Sequence, residues 1–210
     1  MERVNYPYAG FSLSWYFFTH SQENHTDLEI LEGLFNVLKI CEKYELLFPS
    51  IDIYENSVEY FFEQIKQQVN TKKITYDIDC IEGDGLIYFP NGEKKVQANL
   101  VTIDSFRLNE KYFEISTDKG IWSPISFDTD HNVEWQIELA ELNAPRLEKC
   151  LEEIHNVSKT NVSPAPNEVN KESLIWRKGF KLYPSEGVLL DKIEEDPPNT
   201  DFKLNKYLMS

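Results

Sequence analysis

The chain has 210 residues, a formal net charge of -15 and a hydrophobic fraction of 41%, which is enough apolar material for a folded core. This acidic balance opposes direct nucleic-acid binding, which needs clustered Lys and Arg, and contact with an anionic membrane surface. There is no hydrophobic run of membrane-spanning length and no pattern typical of a secretory signal, so we expect a cytoplasmic protein.

The first 70 residues predict one strand and two helices. Residues 11–19 are aromatic and short, as in a buried strand. Thr26 and Glu29 have the spacing of a capping box, and the helix they begin must end before Pro49. A second helix is expected from Asn56. The first helix repeats apolar residues at helical spacing: Leu28, Leu31, Leu34, Phe35, Leu38 and Cys41.

From residue 72 the apolar period changes to 2, which predicts strands. Four side chains of the first strand are expected to face the core: Ile74, Tyr76, Ile78 and Cys80. Asp77 and Asp79 then face outward. The acids do not form a helix-flanked calcium loop, because Ile81, Glu82 and Tyr88 occupy positions that need other residues. We therefore interpret the two glycines of 82–85 as a tight turn and expect no metal.

The following segments predict more antiparallel strands. A return strand at 86–89 leads to Asn91–Gly92, a strong hairpin signal, and a third strand at 94–104. A further hairpin is expected between 111–117 and 121–127. Residues 133–139 alternate and predict one more strand, followed by a helix from about Asn143 and Pro145. The inward residues of that strand are Val133, Trp135, Ile137 and Leu139, and the outward ones are Glu134, Gln136 and Glu138.

The order strand, helix, helix, six-strand meander, helix predicts an α+β fold with a largely antiparallel, strongly twisted sheet and helices on one face. The domain would span 1–157, followed by a linker-like segment at 158–173 and a C-terminal arm at 174–210 docked on the domain. This order resembles that of helix-grip proteins, a resemblance that implies an apolar ligand held between sheet and helix. In that fold the last helix is the longest, whereas here the first is predicted to be.

Six acids are the candidate binding residues. Asp77 and Asp79 on one strand and Glu134 and Glu138 on another would form an acidic sheet face if the two strands were neighbours. Asp128 and Asp130 belong to a polar loop with His131, which is also the best location for acid–base chemistry. The candidate binding residues are Asp77, Asp79, Asp128, Asp130, Glu134 and Glu138.

Three functional hypotheses remain open. The first is a non-catalytic acidic protein that occludes a basic partner, as an immunity or inhibitor protein does with a toxin or nuclease. The second is a small-ligand protein of the helix-grip type. The third is a hydrolase-type enzyme with a dispersed site near Asp128 and His131. No cofactor is expected, and a homodimer is allowed because the aromatic run Trp15–Phe18 cannot all face inward.

The cysteines add a prediction about compartment. Cys41, Cys80 and Cys150 are far apart, odd in number and set in apolar patterns. We expect all three to be small buried residues of a protein in a reducing compartment.

Overall fold

A computed structural model describes residues 1–4, 8–18, 27–48, 63, 66–67, 77–78, 80–107, 112–127, 132–158, 161–164 and 188–198. Within them the chain is α+β, as predicted. The helices are α1 (Asp27–Lys43), α2 (Ile137–Ser158) and α3 (Val188–Glu195), with a 3-10 turn at Gly120–Trp122. The strands are β1 (Arg3–Val4), β2 (Tyr8–Phe18), β3 (Asp77–Ile78), β4 (Asp84–Tyr88), β5 (Lys94–Ala98), β6 (Thr102–Arg107), β7 (Tyr112–Lys119), β8 (Ile125–Phe127), β9 (Val133–Trp135) and β10 (Asn161–Pro164).

The strands form three sheets rather than one meander. Their orders are β1-β5-β4, β10-β2-β7-β6-β3 and β8-β9. The pairs are antiparallel except β1 with β5. The hairpin at Asn91–Gly92 is confirmed: Gly92 has φ 85°, and Phe89 donates its N–H to the Glu93 carbonyl. Gly92 therefore adopts the left-handed conformation that such turns require.

The predicted turn at 82–85 is wrong. Ile81 bonds with Ile103 of β6, whereas Asp84 already belongs to β4, so the chain crosses here from one sheet to another. Gly85 is needed because a Cβ on it would lie 2.4 Å from the Leu46 carbonyl oxygen. The predicted orientation of side chains is also wrong at the end of the strand expected after residue 72, because Ile81 is buried and Cys80 is exposed.

Two later predictions also fail. The third strand is divided into β5 and β6 by a turn at Asn99, which has φ 49°. The expected hairpin between β7 and β8 does not form, because β7 pairs with β2 and β6 while β8 pairs with β9. The strand direction changes at the 3-10 turn, where Trp122 is fully buried and donates its indole N–H to Thr117.

The predicted strand at 133–139 is half strand and half helix. β9 ends at Trp135, and α2 begins at Ile137, so Pro145 lies inside the helix rather than at its start. The side-chain amide of Gln136 donates to carbonyls of the preceding loop, at Gly120, Ser123 and Ile125, which anchors the start of α2. With 22 residues against 17, α2 is longer than α1, so the predicted length order is wrong.

The main core lies where the helices meet the sheets. The predicted stripe of α1 is confirmed at Leu34, Leu38 and Cys41, which are fully buried. On α2, Leu147, Cys150, Leu151 and Ile154 are buried as expected. Two tryptophans complete this core, Trp15 from β2 and Trp122.

Two elements lie in the C-terminal segments. β10 occupies part of the segment interpreted as a linker and pairs antiparallel with β2 at an edge of the five-stranded sheet. α3 lies in the segment interpreted as an arm, and its Ile193 packs against the main core. Of the second predicted helix, Glu63, Lys66 and Gln67 are described and are helical.

Candidate functional site

A surface cleft of about 540 Å³ lies where the end of β4, the start of α2 and the end of α3 converge. The hairpin that confirmed the Asn-Gly signal supplies one wall, and the residues after α3 supply another. Apolar side chains dominate: Phe89, Pro90, Trp135, Ile137, Leu139, Pro197 and Pro198. Gln136, Glu138 and Asp196 are the polar lining residues. This mixture of apolar walls and a few polar groups is typical of binding sites.

Trp135 is one of the two aromatic residues that line the cleft. It was predicted to be a core residue, but it is only half-buried and packs against the core from the edge. Its indole N–H donates to the Asp196 carbonyl, which ties the residues after α3 to β9. Because the N–H is already bonded, the ring is held in place, and part of its surface is exposed in the cleft.

The carboxylates of the cleft differ in how they are paired. Asp196 accepts an ion pair from Lys192 at 3.0 Å, although its side chain is 62% exposed. Glu138 is exposed in the first turn of α2 and forms no ion pair with a described residue. Glu194 and Glu195, which precede Asp196 in the chain, are also exposed. The cleft therefore combines an apolar lining with negative charge that the described residues do not neutralise.

The six predicted binding residues do not form one face. Glu138 lines the cleft, whereas Glu134 is exposed on β9, where alternation turns it away from Trp135. Asp77 lies on β3, which pairs with β6 in the five-stranded sheet and not with β9. The strand adjacency on which the acidic sheet face depended is therefore wrong. Asp79, Asp128, Asp130 and His131 lie outside the described residues.

A second polar cluster surrounds Arg146 of α2, and it is saturated. The guanidinium donates to the carbonyls of Tyr44, Glu45 and Leu86 and to the Asn143 side chain, at 2.8–3.2 Å. These five bonds equal the number of N–H groups that arginine has. Burial lowers the pKa of Arg146, with partial compensation from Tyr88 and Glu45. With no donor left, this cluster cannot recruit an anion and is structural.

The tyrosine and glutamate groups beside Arg146 are also paired internally. The Arg146 guanidinium lies 3.9 Å from the Tyr88 ring centroid, and the Tyr88 hydroxyl donates to Glu45. Lys94 pairs with Glu45 at 2.9 Å. Burial raises the pKa of Glu45, but hydrogen bonds from Tyr88 and Lys94 outweigh it, so the net pKa is below the ordinary value. These groups stabilise the α1–β4 junction.

Asn143 completes this junction at the outer edge of β4. Its amide accepts the N–H of Tyr88 at 3.1 Å and donates to the Tyr88 carbonyl at 2.9 Å. On the same side of β4, the Leu86 N–H donates to the Glu45 carbonyl, and the Leu86 carbonyl accepts from Arg146. Asp84 exchanges two backbone bonds with Phe48. Side chains and a loop thus take the place of a neighbouring strand along β4.

Two of the three cysteines are buried together in the core. Cys41 and Cys150 are buried with their sulfurs 3.9 Å apart, as predicted for buried thiols. Burial, and then the contact with Cys41, raises the pKa of Cys150 well above its ordinary value, which makes its thiol inert. Cys80 was expected to be buried and is exposed. Among the described residues no three His, Cys, Asp or Glu are grouped to hold a metal.

The sequence does not predict the cleft, because its residues are distant in the chain. Phe89 follows a hairpin strand, Trp135 ends another, and Pro197 follows the last helix. One signal was present: a Pro-Pro pair after an acidic helix, at 197–198, which cannot continue that helix and presents an apolar wall. Nothing in the spacing relates it to Trp135.

No helix in the part of the chain that the structure describes is both long and apolar enough to cross a membrane. No protein-family model matches the chain, and neither the curated proteins nor the solved structures contain one with significant similarity to it.

Proposed function

We propose that this chain is a non-catalytic binding protein that occludes a basic macromolecule, in the manner of an immunity or inhibitor protein acting on a toxin or nuclease. The observation that supports this most is the cleft, where apolar walls and the Glu138 carboxylate, which forms no ion pair with a described residue, are open to solvent. The polar groups around Arg146, by contrast, are used internally. The cleft is therefore the place where apolar surface and an acidic group are exposed together to a partner.

The overall charge supports the same proposal. A net charge of -15 attracts a cationic partner over several ångströms and speeds its association. A basic enzyme that acts on nucleic acid presents a positive surface, and an acidic protein competes there with phosphate. Such a protein would work in the cytoplasm, where the neighbouring thiols Cys41 and Cys150 stay reduced.

The test is co-expression with each basic protein encoded beside the gene of this chain. The expected result is that one of them stops growth alone, that this chain restores growth, and that the two proteins purify as a complex weakened by added salt. Turnover of a substrate by the purified chain would contradict the proposal, and so would failure to bind any of these proteins.

A small apolar ligand is the second candidate occupant. A volume of about 540 Å³ lies in the range of small-molecule pockets, roughly 300–1,000 Å³, and most of the lining is apolar. The cleft is at the surface, between a hairpin and two helix ends, and not between a curved sheet and a helix as the helix-grip resemblance implied. A thermal-shift screen with neutral apolar compounds tests this alternative, which a Tm increase with saturable binding would support.

A further inference from the structure

We propose that Asn91 is a site of spontaneous covalent modification, at which the backbone nitrogen of Gly92 attacks the side-chain amide and converts the asparagine into aspartate or isoaspartate. The site is the one Asn-Gly pair of the sequence, and it lies at the tip of the β4–β5 hairpin. The inference is independent of the proposed function, so its failure would leave that function unaffected.

The reaction needs a nucleophile held next to a carbonyl carbon, and it is intramolecular. The Gly92 nitrogen bonds to Cγ of Asn91 and gives up its proton, the C–N bond of the amide breaks, and ammonia leaves. The product is a cyclic succinimide. Water then adds to either carbonyl of the ring and opens it, which gives aspartate or, when the main chain passes through Cγ, isoaspartate. One water is consumed for each ammonia released, and no oxidant is needed.

The glycine at position 92 leaves room for this attack. Gly92 has φ 85°, and a Cβ built on it would meet no atom within 4 Å. Asn91 and Gly92 are both exposed. The Gly92 nitrogen can therefore approach Cγ without a clash from a side chain. Asn99, in the turn between β5 and β6, is followed instead by Leu100, whose side chain is fully buried.

The hydrogen bonds of the turn prepare the carbonyl group. The Glu93 N–H donates to Oδ1 of Asn91 at 3.0 Å, which folds the asparagine side chain back across Gly92. The same N–H stabilises the negative charge that Oδ1 acquires when Cγ is attacked. The Gly92 N–H is bonded to the Phe89 carbonyl at 2.9 Å, and this bond must open before the attack. Because the turn is exposed at the tip of a hairpin, opening it costs little.

The two products affect the hairpin differently. Isoaspartate adds a methylene to the main chain between residues 91 and 92, within the turn that Phe89 closes through its bonds with Gly92 and Glu93. Aspartate leaves the main chain as it was and adds only a charge. Phe89 and Pro90 line the cleft. Isoaspartate therefore alters one wall of the cleft, whereas aspartate leaves that wall in place.

The experiment incubates the folded full chain at mildly acidic and mildly alkaline pH and follows each asparagine by peptide mapping with mass spectrometry. Enzymatic methylation of isoaspartyl groups identifies the isoaspartate product. We expect conversion at Asn91 before Asn99 and Asn156, which serve as controls in the same sample. Conversion should be faster at alkaline pH, because the attacking nitrogen must lose its proton. An Asn91 that stays intact while either control is converted, or throughout the alkaline incubation, would overturn the assignment.

Two variants separate the chemistry from its consequence. Asn91→Gln should slow the loss of ammonia at this position by at least roughly tenfold, because the longer side chain is held less well for attack. Asn91→Asp carries the charge of one product on an unchanged main chain, so its Tm should stay near that of the wild type, whereas the aged wild type should unfold at a lower Tm. Equal rates for the wild type and Asn91→Gln would overturn the proposed attack. Equal Tm values for the aged wild type and fresh Asn91→Asp would overturn the effect on the hairpin.

Discussion

Arg146 lies about two turns along α2 from the start of that helix, which lines the Trp135 cleft, and both places combine aromatic rings with charged groups. In the first, each N–H of the guanidinium has an acceptor. In the second, Glu138 has no described ion pair and Trp135 keeps an exposed surface. The two places have similar charged and aromatic residues. They differ in that the polar groups around Arg146 already bond one another, whereas Glu138 in the cleft has no described ion pair, and this difference separates a structural cluster from a candidate site.

Replacing Arg146 should give the largest effect. Arg146→Ala removes the donor of the Tyr44 and Leu86 carbonyls, and one of two donors to the Glu45 carbonyl and to the Asn143 side chain. We expect a loss of about 3 to 5 kcal/mol in the free energy of unfolding. Arg146→Lys should be intermediate because lysine has fewer donors. Urea unfolding measures both. Lys149→Ala, exposed on the same helix, is the control. A loss below about 1 kcal/mol would show that the cluster is not structural.

The second prediction uses two glycines. Gly85→Ala should cost about 1 to 3 kcal/mol, because the new Cβ would lie 2.4 Å from the Leu46 carbonyl oxygen beneath the Arg146 cluster. Gly33→Ala on α1 meets nothing within 4 Å and should stabilise the protein by about 0.5 to 1 kcal/mol. Thermal unfolding of both variants gives opposite shifts in Tm. Equal shifts would contradict the close approach of β4 to the end of α1.

The third prediction concerns acid pH. Hydrogen bonds from Lys43 and then Tyr44 lower the pKa of Glu153, and the net pKa of Glu45 is also lowered. A lowered folded-state pKa gives stability above the ordinary value of 4.5, and this is lost as pH falls through the folded pKa. Stability should therefore decline below pH 4.5. Glu153→Gln should flatten the decline. An identical pH profile for wild type and variant would contradict the assignment.

The smallest stability effect should come from the acids outside the buried cluster. Replacing Asp77, Asp79, Glu134 and Glu138 with Lys should change the free energy of unfolding by within about 0.5 kcal/mol per residue. The same variant should lose the basic partner. Because Glu138 is the one of the described acids in this set that lines the cleft, Glu138→Lys alone should account for most of the loss, whereas Asp77→Lys should retain binding. Calorimetry on the complex separates the two, and equal affinities would remove the distinction.

The elements that the sequence predicted well are those whose local signals agree with their packing. The first helix and the Asn-Gly hairpin have spacing and turn chemistry that point to one structure. The pattern of residues 133–139 is compatible with two structures, because residues four apart, such as Trp135 and Leu139, lie on one face of either a strand or a helix. Packing of Leu139 and Asn143 in the core decides for the helix, despite Pro145.

The candidate site was less predictable. Glu138 was identified for its charge, but in the wrong element and with the wrong neighbours. Sheet pairing between distant segments determined which acids could act together, and a period of 2 gives no information on which strands pair. The half-burial of Trp135 likewise depends on α3 packing near it, which no local pattern indicates.

The outer hydrogen-bonding groups of β4 have a consequence for assembly. Phe48 bonds the backbone groups of Asp84, and Asn143 bonds those of Tyr88. Between them, the N–H of Leu86 donates to Glu45 and its carbonyl accepts from Arg146. A strand donated by another molecule would find no unpaired amide or carbonyl on these three residues, so this edge cannot template fibril growth or domain exchange. The side-chain amide of Asn143 thus ends the sheet at Tyr88 and protects this edge from pairing with another molecule, without an additional strand.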